Sequence, residues 1–262
     1  MKKLSEKRLT NILKDKTSGS SEILIEFHNH LKKEQKLFFL VPELIAITKK
    51  QFVSFQNIQV YLDEMEKSLH REKNLVPFFT RYDSIFQNNL IELLNNAKKI
   101  LGQYSTFLTL SNSKTVLEVL QGINSPKRKI KIYVAESRPK FEGRILAKRL
   151  INVKIATQLI TEAMIPEFLI KSDAAIIGAD IILKNGDIVN KIGSRSLAIL
   201  CKELKKPFYV IADKKKFSNR NSFKQKEMPP AEIWRHHPDK IIVQNFYFER
   251  VNRELITRII SD

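Results

Sequence analysis

The stretch that decides the fold runs from Ala174 to Gly193 and reads AAIIGADIILKNGDIVNKIG. Its first four residues form an apolar run that is typical of a buried strand. Gly178 and Asp180 follow that run directly, and Asn190 and Lys191 come ten residues later. In open α/β sheets, the turns beyond the strands hold the ligand. A carboxylate there could polarise a hydroxyl or carbonyl, and an amide with an ammonium could hold a phosphate or sugar oxygen. In the structural alternative, Asp180 caps a turn and Lys191 is solvated.

The same strand signal recurs after Tyr104, where short apolar runs alternate with amphipathic helices. Repeated strand–helix units imply parallel strands with right-handed crossovers. The predicted strands are 106–110, 131–135, 153–160, 174–177 and 207–212, and the predicted helices are 114–122, 143–150, 162–169 and 196–204. We therefore predict an α/β fold, in which a helical N-terminal domain (residues 1–102) precedes a Rossmann-like parallel-sheet domain (residues 103–262).

The first hundred residues carry a helical pattern. The clearest helix is 84–101, whose apolar residues fall on one stripe at helical spacing. Pro42 suits the first turn of an earlier helix that begins near Glu43, and Pro77 separates that helix from the one at 84–101. The segment 17–22 separates two still earlier helices and offers a serine or threonine as the next N-cap.

The charge is strongly basic, with 46 lysines and arginines against 28 acids and a net charge of +18. Residues 124–154 hold ten basic side chains and two acids, and residues 202–226 hold nine and two. Such an excess favours anionic partners, which include a phosphorylated metabolite, an acidic protein or RNA. The alternative is a solvated helix surface, and the sequence contains no recognisable nucleic-acid-binding motif.

Several classes of protein are excluded by what the sequence lacks. It has no run of eighteen apolar residues and no secretory signal, so we expect a cytoplasmic protein without membrane contact. The single cysteine, Cys201, cannot build a disulfide framework and lies on the apolar face of a helix, where a core position is expected. The five histidines form no metal set, and neither a Walker loop nor a dinucleotide fingerprint is present. We expect no metal and no cofactor.

Polar residues also follow the other predicted strands. Ser111 and Ser113 open a helix whose free N–H groups could seat an anion, although ordinary N-capping explains them equally well. Arg138 could grip a phosphate or carboxylate as a fork, or could form a structural ion pair with Glu136 or another acid. Lys216 belongs to a run of three lysines, which is usually solvated, but its aromatic neighbour could turn it inward. Together these strand ends predict a site for a phosphorylated, hydroxyl-rich small molecule.

At these motifs the chain resembles a known family. Residues 178–217 look like the signature block of the initiation factor 2B alpha/beta/delta and sugar-phosphate isomerase superfamily. Residues 133–139 resemble its second motif, and residues 245–257 resemble its closing segment. The superfamily includes methylthioribose-1-phosphate isomerase and ribose-1,5-bisphosphate isomerase. The resemblance implies a helical domain, a Rossmann-like domain, and a homodimer or higher oligomer formed through the latter.

The resemblance also assigns roles to residues. In the isomerases a cysteine and an aspartate move the proton, and Asp180 matches the aspartate while Ser111 stands in place of the cysteine. Asn190 and Lys191 match the polar pair that contacts substrate. The counterpart of the family's Arg-Gly-Ala phosphate clamp is the segment 18–20, which lacks the arginine. The resulting candidate ligand-binding residues are Gly19, Ser111, Asn112, Ser113, Arg138, Gly178, Asp180, Asn190, Lys191 and Lys216.

Three functional hypotheses follow from the resemblance and its departures. The favoured one is a non-catalytic regulatory protein of the initiation factor 2B type that binds a sugar phosphate or a nucleotide monophosphate. The second is a divergent aldose–ketose sugar-phosphate isomerase that uses Asp180, with Ser111 or another group replacing the thiol. An alcohol is a far weaker acid than a thiol and makes a poor proton shuttle. The third is a structural dimer without a ligand.

Overall fold

The computed structural model describes residues 2–15, 17–34, 41–72 and 74–262, with side chains from residue 7 onward. Within these ranges, helices fill the part up to Leu101 (the helical half), and strands alternate with helices from Thr106 onward (the sheet half). The predicted α/β fold with a parallel sheet is therefore confirmed. Whether the two halves are separate domains with a boundary at residue 102 stays a prediction.

The helical half is built around aromatic side chains. Its helices are α1 (Lys2–Lys14), α2 (Ser20–Lys33), α3 (Val41–Gln51), α4 (Gln56–Glu72) and α5 (Val76–Leu101). Phe27, Tyr61, Phe78, Phe79 and Tyr82 are fully buried and pack edge to face in its centre. Because large rings bury much apolar surface, they form a large part of the core that the five helices share.

Three details of the helical half differ from the sequence predictions. The segment between Glu43 and Pro77 is divided into α3 and α4, because the Gln59 side chain donates to two carbonyls at the end of α3 and holds the chain in a turn. Helix α5 begins at Val76 rather than Ser84, with Pro77 in its first turn. The N-cap of α2 is Gly19, which offers no side-chain cap.

The sheet half contains two sheets. Its strands are β1 (Thr106–Thr109), β2 (Lys131–Ala135), β3 (Ala156–Ile160), β4 (Ala174–Gly178), β5 (Ile181–Ile182), β6 (Ile188–Lys191), β7 (Phe208–Ile211), β8 (Phe248–Val251) and β9 (Arg258–Ile260). The larger sheet is parallel throughout, in the order β3-β2-β1-β4-β7-β9, and β5, β6 and β8 form a small antiparallel sheet. From β1 the chain adds β2 and β3 on one side and then β4, β7 and β9 on the other. The strand order therefore reverses between β1 and β4, which is where open α/β sheets form their ligand crevice.

Helices cover both faces of the larger sheet. They are α6 (Lys114–Ile123), α7 (Glu142–Asn152), α8 (Ile165–Ile170) and α9 (Ser194–Glu203). Helices α8 and α9 share one buried core with the sheet, and α6, α7 and the end of α5 share the other. Leu93 and Ala97 of α5 belong to that second core, so this helix links the two halves. No helix in the described ranges has an apolar stretch long enough to cross a bilayer.

The predicted strands and helices of the sheet half shift in two places. Strand β3 starts at Ala156, three residues after the predicted start at Val153, because Lys154 has a left-handed backbone (φ 59°) that ends the turn after α7. The predicted helix 162–169 is a 3₁₀ turn at 162–164 followed by α8, whose first turn contains Pro166. The sequence analysis did not predict β5, β6, β8 or β9.

Arg128 fastens the connection between the two halves. Its guanidinium donates to the carbonyl oxygens of Leu101 (3.0 Å), Tyr104 and Ile123 (3.2 Å). These carbonyls belong to the end of α5, to the short connection to β1, and to the end of α6. One planar, charged fork therefore joins the ends of α5 and α6 to the connection between α5 and β1.

Candidate functional site

A cavity of about 490 Å³ lies beyond the carboxyl ends of β1 and β4, between the two halves. We call it the switch-point cavity. The helical half lines it with Asp15, residues 17–19 and residues 50–55. The sheet half lines it with Ser111, Asn112, Glu142, Asp180, Lys191, residues 226–229, Tyr247 and Phe248. A narrow cleft continues from Asp180 toward Ser113, Gly178, Asn190 and Lys216. All the predicted ligand-binding residues except Arg138 line the cavity or this cleft.

Asp180 lies at the centre of the site, directly after β4. Its backbone N–H donates to the Val189 carbonyl (2.9 Å), and its Oδ1 accepts from the Ser20 hydroxyl (2.9 Å). Burial raises the pKa of the Asp180 carboxyl above its ordinary value of 3.8, although the charges of Lys216 and Lys191 and the bond from Ser20 act in the opposite direction. A carboxyl group placed in this way can hold or release a proton closer to neutral pH than a solvated aspartate.

We expect Asp180→Asn to be more stable than the wild type at pH 7, and to lose that advantage as the pH falls toward 4. Because its pKa is raised in the folded chain, Asp180 favours folding most below its unfolded value of 3.8. That contribution is lost as the pH rises through the folded pKa. Asparagine does not titrate, and its amide oxygen can still accept from Ser20. Urea unfolding of both proteins between pH 4 and pH 8 measures the difference, and a difference that does not change with pH would contradict this account.

Lys216 provides a buried cation beside Asp180. Its side chain is 3% exposed, and among the described residues it makes no hydrogen bond or close ion pair. It lies at the end of a 3₁₀ turn that follows β7, whereas its neighbour Lys214 is exposed and pairs with Glu92. A buried ammonium normally has a counter-charge. Asp180 is its nearest counter-charge, but no close ion pair or hydrogen bond occupies the ammonium, so Lys216 can still contact an anion in the cleft.

Lys191 and Glu142 form a buried ion pair in the wall of the cavity. The Lys191 Nζ lies 2.6 Å from the Glu142 Oε1, and the two side chains are 4% and 8% exposed. Burial raises the pKa of the Glu142 carboxyl, although Lys191 acts against this. The second oxygen of Glu142, Oε2, has no hydrogen-bond partner among the described residues. The pair thus neutralises Lys191 and presents a hydrogen-bond acceptor in the cavity wall.

The sequence predicts Asn190 and Lys191 in a turn, but the structure places them in a strand. Both belong to β6 of the small antiparallel sheet, which pairs with β8. The Asn190 amide donates to the Ser194 hydroxyl (2.9 Å), which in turn donates to the Lys191 carbonyl (2.6 Å). The strand fixes both side chains more firmly than a turn would, because each backbone position is held by ladder hydrogen bonds.

Ser111 adopts a left-handed backbone conformation (φ 68°) at the end of β1, and its N–H donates to the Ser137 hydroxyl (2.6 Å). A non-glycine residue in this region is held there by its surroundings, and such positions concentrate at functional sites. Ser113 follows the structural alternative, because it is the N-cap of α6 and its hydroxyl accepts from the Val116 N–H (3.3 Å). Ser111, rather than Ser113, is therefore the hydroxyl that remains for a ligand.

The start of α2 comes close to the loop after β1. A Cβ on Gly19 would lie 3.0 Å from the Asn112 carbonyl oxygen, and one on Gly178 would lie 2.8 Å from the Ser113 hydroxyl. Both glycines thus permit close approach of backbone segments at the cleft. The contact brings the free N–H groups of the first turn of α2 to the edge of the cleft, where they favour an anion.

Arg138 is not brought to the cavity. Its side chain is exposed, lies over the ring of Phe141 and donates to the Ile233 carbonyl (3.3 Å). The predicted alternative, an ion pair with Glu136 or another acid, is also wrong: Glu136 pairs with Arg144, and Arg138 forms no ion pair with any acid among the described residues. Arg138 instead fastens the irregular segment around Ile233 to the loop after β2.

Glu142 was missed from the sequence, and Ser20 was named only within the clamp counterpart 18–20 and not as a partner of Asp180. Glu142 lines the cavity, and the Ser20 hydroxyl binds Asp180 although 160 residues separate them. Glu142 is one of only two acids in the basic block 124–154, and an isolated acid among ten basic residues is a signal that could have been used. No local signal points to the bond between Ser20 and Asp180, because it depends on how the two halves pack.

Cys201 cannot contribute chemistry at the site. Its side chain is 1% exposed in the core beneath α9, and burial raises the pKa of its thiol to about 12. The prediction of a core residue is confirmed. Within the described ranges, no group of three or more histidine, cysteine, aspartate or glutamate residues is placed to hold a metal ion.

The chain resembles known proteins in sequence. The model of the initiation factor 2 subunit family matches residues 9–262. A translation initiation factor eIF-2B subunit 2-like protein of Pyrococcus horikoshii is 37% identical over 199 residues, which cover 71% of this chain and 72% of that protein. A ribose 1,5-bisphosphate isomerase of Archaeoglobus fulgidus is 30% identical over 174 residues, which cover 63% of this chain.

A solved structure shares the fold. The crystal structure of the Pyrococcus horikoshii translation initiation factor eIF-2B aligns with a TM-score of 0.81 at 24% identity, over 98% of this chain and 94% of that one. The coverage of curated relatives is smaller: the chain spans 54% of the length of the Archaeoglobus isomerase and 61% of that of a second archaeal eIF-2B-like protein.

Proposed function

The chain belongs to the initiation factor 2 subunit family, and on that premise we propose that it is a non-catalytic regulatory protein of the eIF-2B type. In this proposal it binds a sugar phosphate or a nucleoside monophosphate in the switch-point cavity. Relatives of the chain include a sugar-phosphate isomerase, so the proposal must explain why a ligand would bind here without being converted.

One observation carries the proposal: the cavity keeps the polar groups that suit a phosphorylated sugar but has no thiol. Lys216 offers an unpaired buried cation, the first turn of α2 offers free N–H groups, and Glu142 Oε2 offers an acceptor for a hydroxyl. The cation and the N–H groups suit a phosphate, and the acceptor suits a sugar hydroxyl. Ser111 lies where the resemblance places the isomerase cysteine, and Cys201 is buried elsewhere.

The second candidate, a divergent isomerase, is favoured by the raised pKa of Asp180. An aldose–ketose conversion needs an acid and a base that exchange protons with neighbouring carbon and oxygen atoms of the substrate. Asp180 could fill one role. The Ser111 hydroxyl would need strong activation to fill the other, and no described side chain hydrogen-bonds to its oxygen. We therefore rank this candidate second.

Calorimetric titration tests the proposal with ribose 5-phosphate, 5-methylthioribose 1-phosphate, ribose 1,5-bisphosphate and AMP. We expect at least one of them to bind, and Lys216→Met to weaken that binding at least tenfold, because it removes the unpaired cation. The matched control is Lys214→Met, which removes an exposed lysine from the same turn and should change the affinity less than twofold.

The same protein samples are then assayed for ketose formation. Binding without turnover supports the regulatory reading. Turnover that disappears in Asp180→Asn would replace it with the isomerase reading. The proposed sugar-phosphate site would be contradicted if none of the four compounds binds. It would also be contradicted if the Lys216→Met and Lys214→Met variants bind with equal affinity.

We also propose that the chain self-associates through the sheet half, as a homodimer or a higher oligomer. The support is a group of apolar side chains exposed in one segment, among them Trp234 (48% exposed) and Ile242 (89% exposed). Exposed apolar groups of this kind mark interaction surfaces. Light scattering gives the mass in solution, and a monomer at high concentration would contradict the proposal.

An acidic protein or RNA partner for the basic surface stays a prediction. It requires binding that weakens steeply as the salt concentration rises.

A further inference from the structure

A second cavity, of about 410 Å³, lies between α2, α5 and α6. It follows one face of α2 from Ser21 to Asn29, whereas the switch-point cavity meets that helix only at its N-terminus. Its apolar lining is formed by Leu24, Ile25, Phe86, Leu90 and Leu93, and four amide side chains join them: Asn29, Asn57, Gln87 and Asn89. None of these apolar and amide residues lines the switch-point cavity or its cleft, although Ser21 and Lys114 border both the cleft and the second cavity.

Asn57 gives this cavity a hydrogen-bond donor with no partner. The residue is 1% exposed, and its Oδ1 accepts from the Ile58 N–H (3.0 Å), which fixes the orientation of the amide. The Nδ2 group has no hydrogen-bond partner among the described residues. A buried amide donor left unpaired is unfavourable, because it has lost its bond to water without gaining a partner. A ligand that presents an acceptor to Asn57 would supply that partner.

The charged groups around the second cavity are already paired. Lys114 lies 3.4 Å from Glu118, and Lys215 donates to the Tyr82 hydroxyl (2.7 Å) and lies 3.7 Å from Glu64. The carboxylate of Asp83 pairs with Lys32 and with one ring nitrogen of His28. The other ring nitrogen of His28 bonds the Tyr61 hydroxyl. The carboxylate of Asp213 accepts from the backbone N–H of Lys215. In contrast with Lys216 in the first cleft, no cation is left over here. The cavity therefore favours a neutral ligand over a phosphate.

A neutral ligand that fits both surfaces must combine apolar faces with a polar edge. Leu24, Leu90 and the Phe86 ring can cover the faces of a flat ring, and amide side chains can donate to and accept from its edge. Nitrogen heterocycles have this character, since their ring nitrogens and carbonyls accept and their exocyclic amines donate. We propose that the second cavity is a binding site for a neutral nucleoside, with the base held by Asn57 and the surrounding apolar side chains.

The proposal goes beyond the function proposed for the switch-point cavity and is tested separately. Equilibrium dialysis of the full chain with adenosine, guanosine, cytidine and uridine should show one-to-one binding of at least one of them. Leu90→Trp fills the cavity and should weaken that binding at least tenfold. Asn57→Asp keeps the acceptor for Ile58 but removes the donor, and should weaken it at least fivefold. Urea unfolding shows whether each variant is folded, and Leu90→Trp decides the matter if Asn57→Asp is not.

Two controls separate the cavities. Gln103→Ala removes an exposed amide outside the second cavity, and Asp180→Asn alters only the first site, so both should bind the nucleoside within twofold of the wild type. The proposal is overturned if none of the four nucleosides binds at millimolar concentration, or if Leu90→Trp binds as the wild type does. It is also overturned if Asp180→Asn abolishes binding, since the nucleoside would then occupy the switch-point cavity.

Discussion

Lys191→Met is expected to lower the free energy of unfolding by about 3–5 kcal/mol, because it leaves a buried carboxylate without its counter-charge. The Glu142 side chain is 8% exposed, and its Oε2 already lacks a partner, so the loss of Lys191 would leave neither oxygen paired. Urea unfolding at pH 8 measures the loss. The loss should shrink at lower pH, because protonation of Glu142 then removes the unpaired charge.

Two further variants make this test specific. Lys49→Met breaks a partly exposed pair with Asp63 and Glu66 and should cost under about 1 kcal/mol. The double variant Glu142→Leu with Lys191→Met removes both charges and should recover most of the stability, because two apolar groups need no partner. A loss of less than 1 kcal/mol in Lys191→Met alone would mean that water in the cavity already solvates the pair.

Gly143→Ala is the second change with a large expected effect, a loss of at least about 3 kcal/mol. A Cβ at this position would lie 1.8 Å from the Ala135 carbonyl oxygen and 3.0 Å from the Glu136 carbonyl carbon. Both contacts are with backbone atoms at the end of β2, so α7 must move away from the strand. Because Glu142 precedes Gly143, the buried pair with Lys191 would be displaced as well.

Gly122→Ala is the matched control for this prediction. Its Cβ would lie 2.7 Å from Leu94 Cδ2, which is the far end of a flexible side chain and can move. Alanine is also favoured over glycine inside a helix by about 1 kcal/mol. We expect this variant to unfold within about 1 kcal/mol of the wild type. Equal stability of Gly143→Ala and Gly122→Ala in urea would show that α7 can shift at little cost.

Much of the fold could be predicted because the parallel strands are short apolar runs. Strand β4, for example, is buried along its whole length and reads as AAIIG. The small antiparallel sheet was missed because β5 has two residues and β6 ends in Asn190 and Lys191, which have no strand pattern. The break between α3 and α4 depends on hydrogen bonds from the Gln59 side chain to two carbonyls, and the spacing of apolar residues in the sequence does not predict such a contact.

The candidate site could be predicted in part, for the same kind of reason. Ser111, Asp180 and Lys216 follow parallel strands, and the carboxyl ends of such strands meet at one edge. Arg138 also follows a strand, but its peptide lies in a loop that turns the guanidinium toward Phe141 and Ile233. Glu142 and Ser20 reach the site from helix starts, and only the packing of the two halves brings those helix starts to the cavity.

The three carbonyls held by Arg128 bear on how the chain could be cut into pieces. A protease needs an extended, loosely held segment, and residues 102–105 are instead fastened at both sides of the connection. The irregular stretch between β7 and β8 is longer and more exposed. Nicking is therefore favoured there, within the sheet half, and not at the junction where the sequence alone would place a domain border.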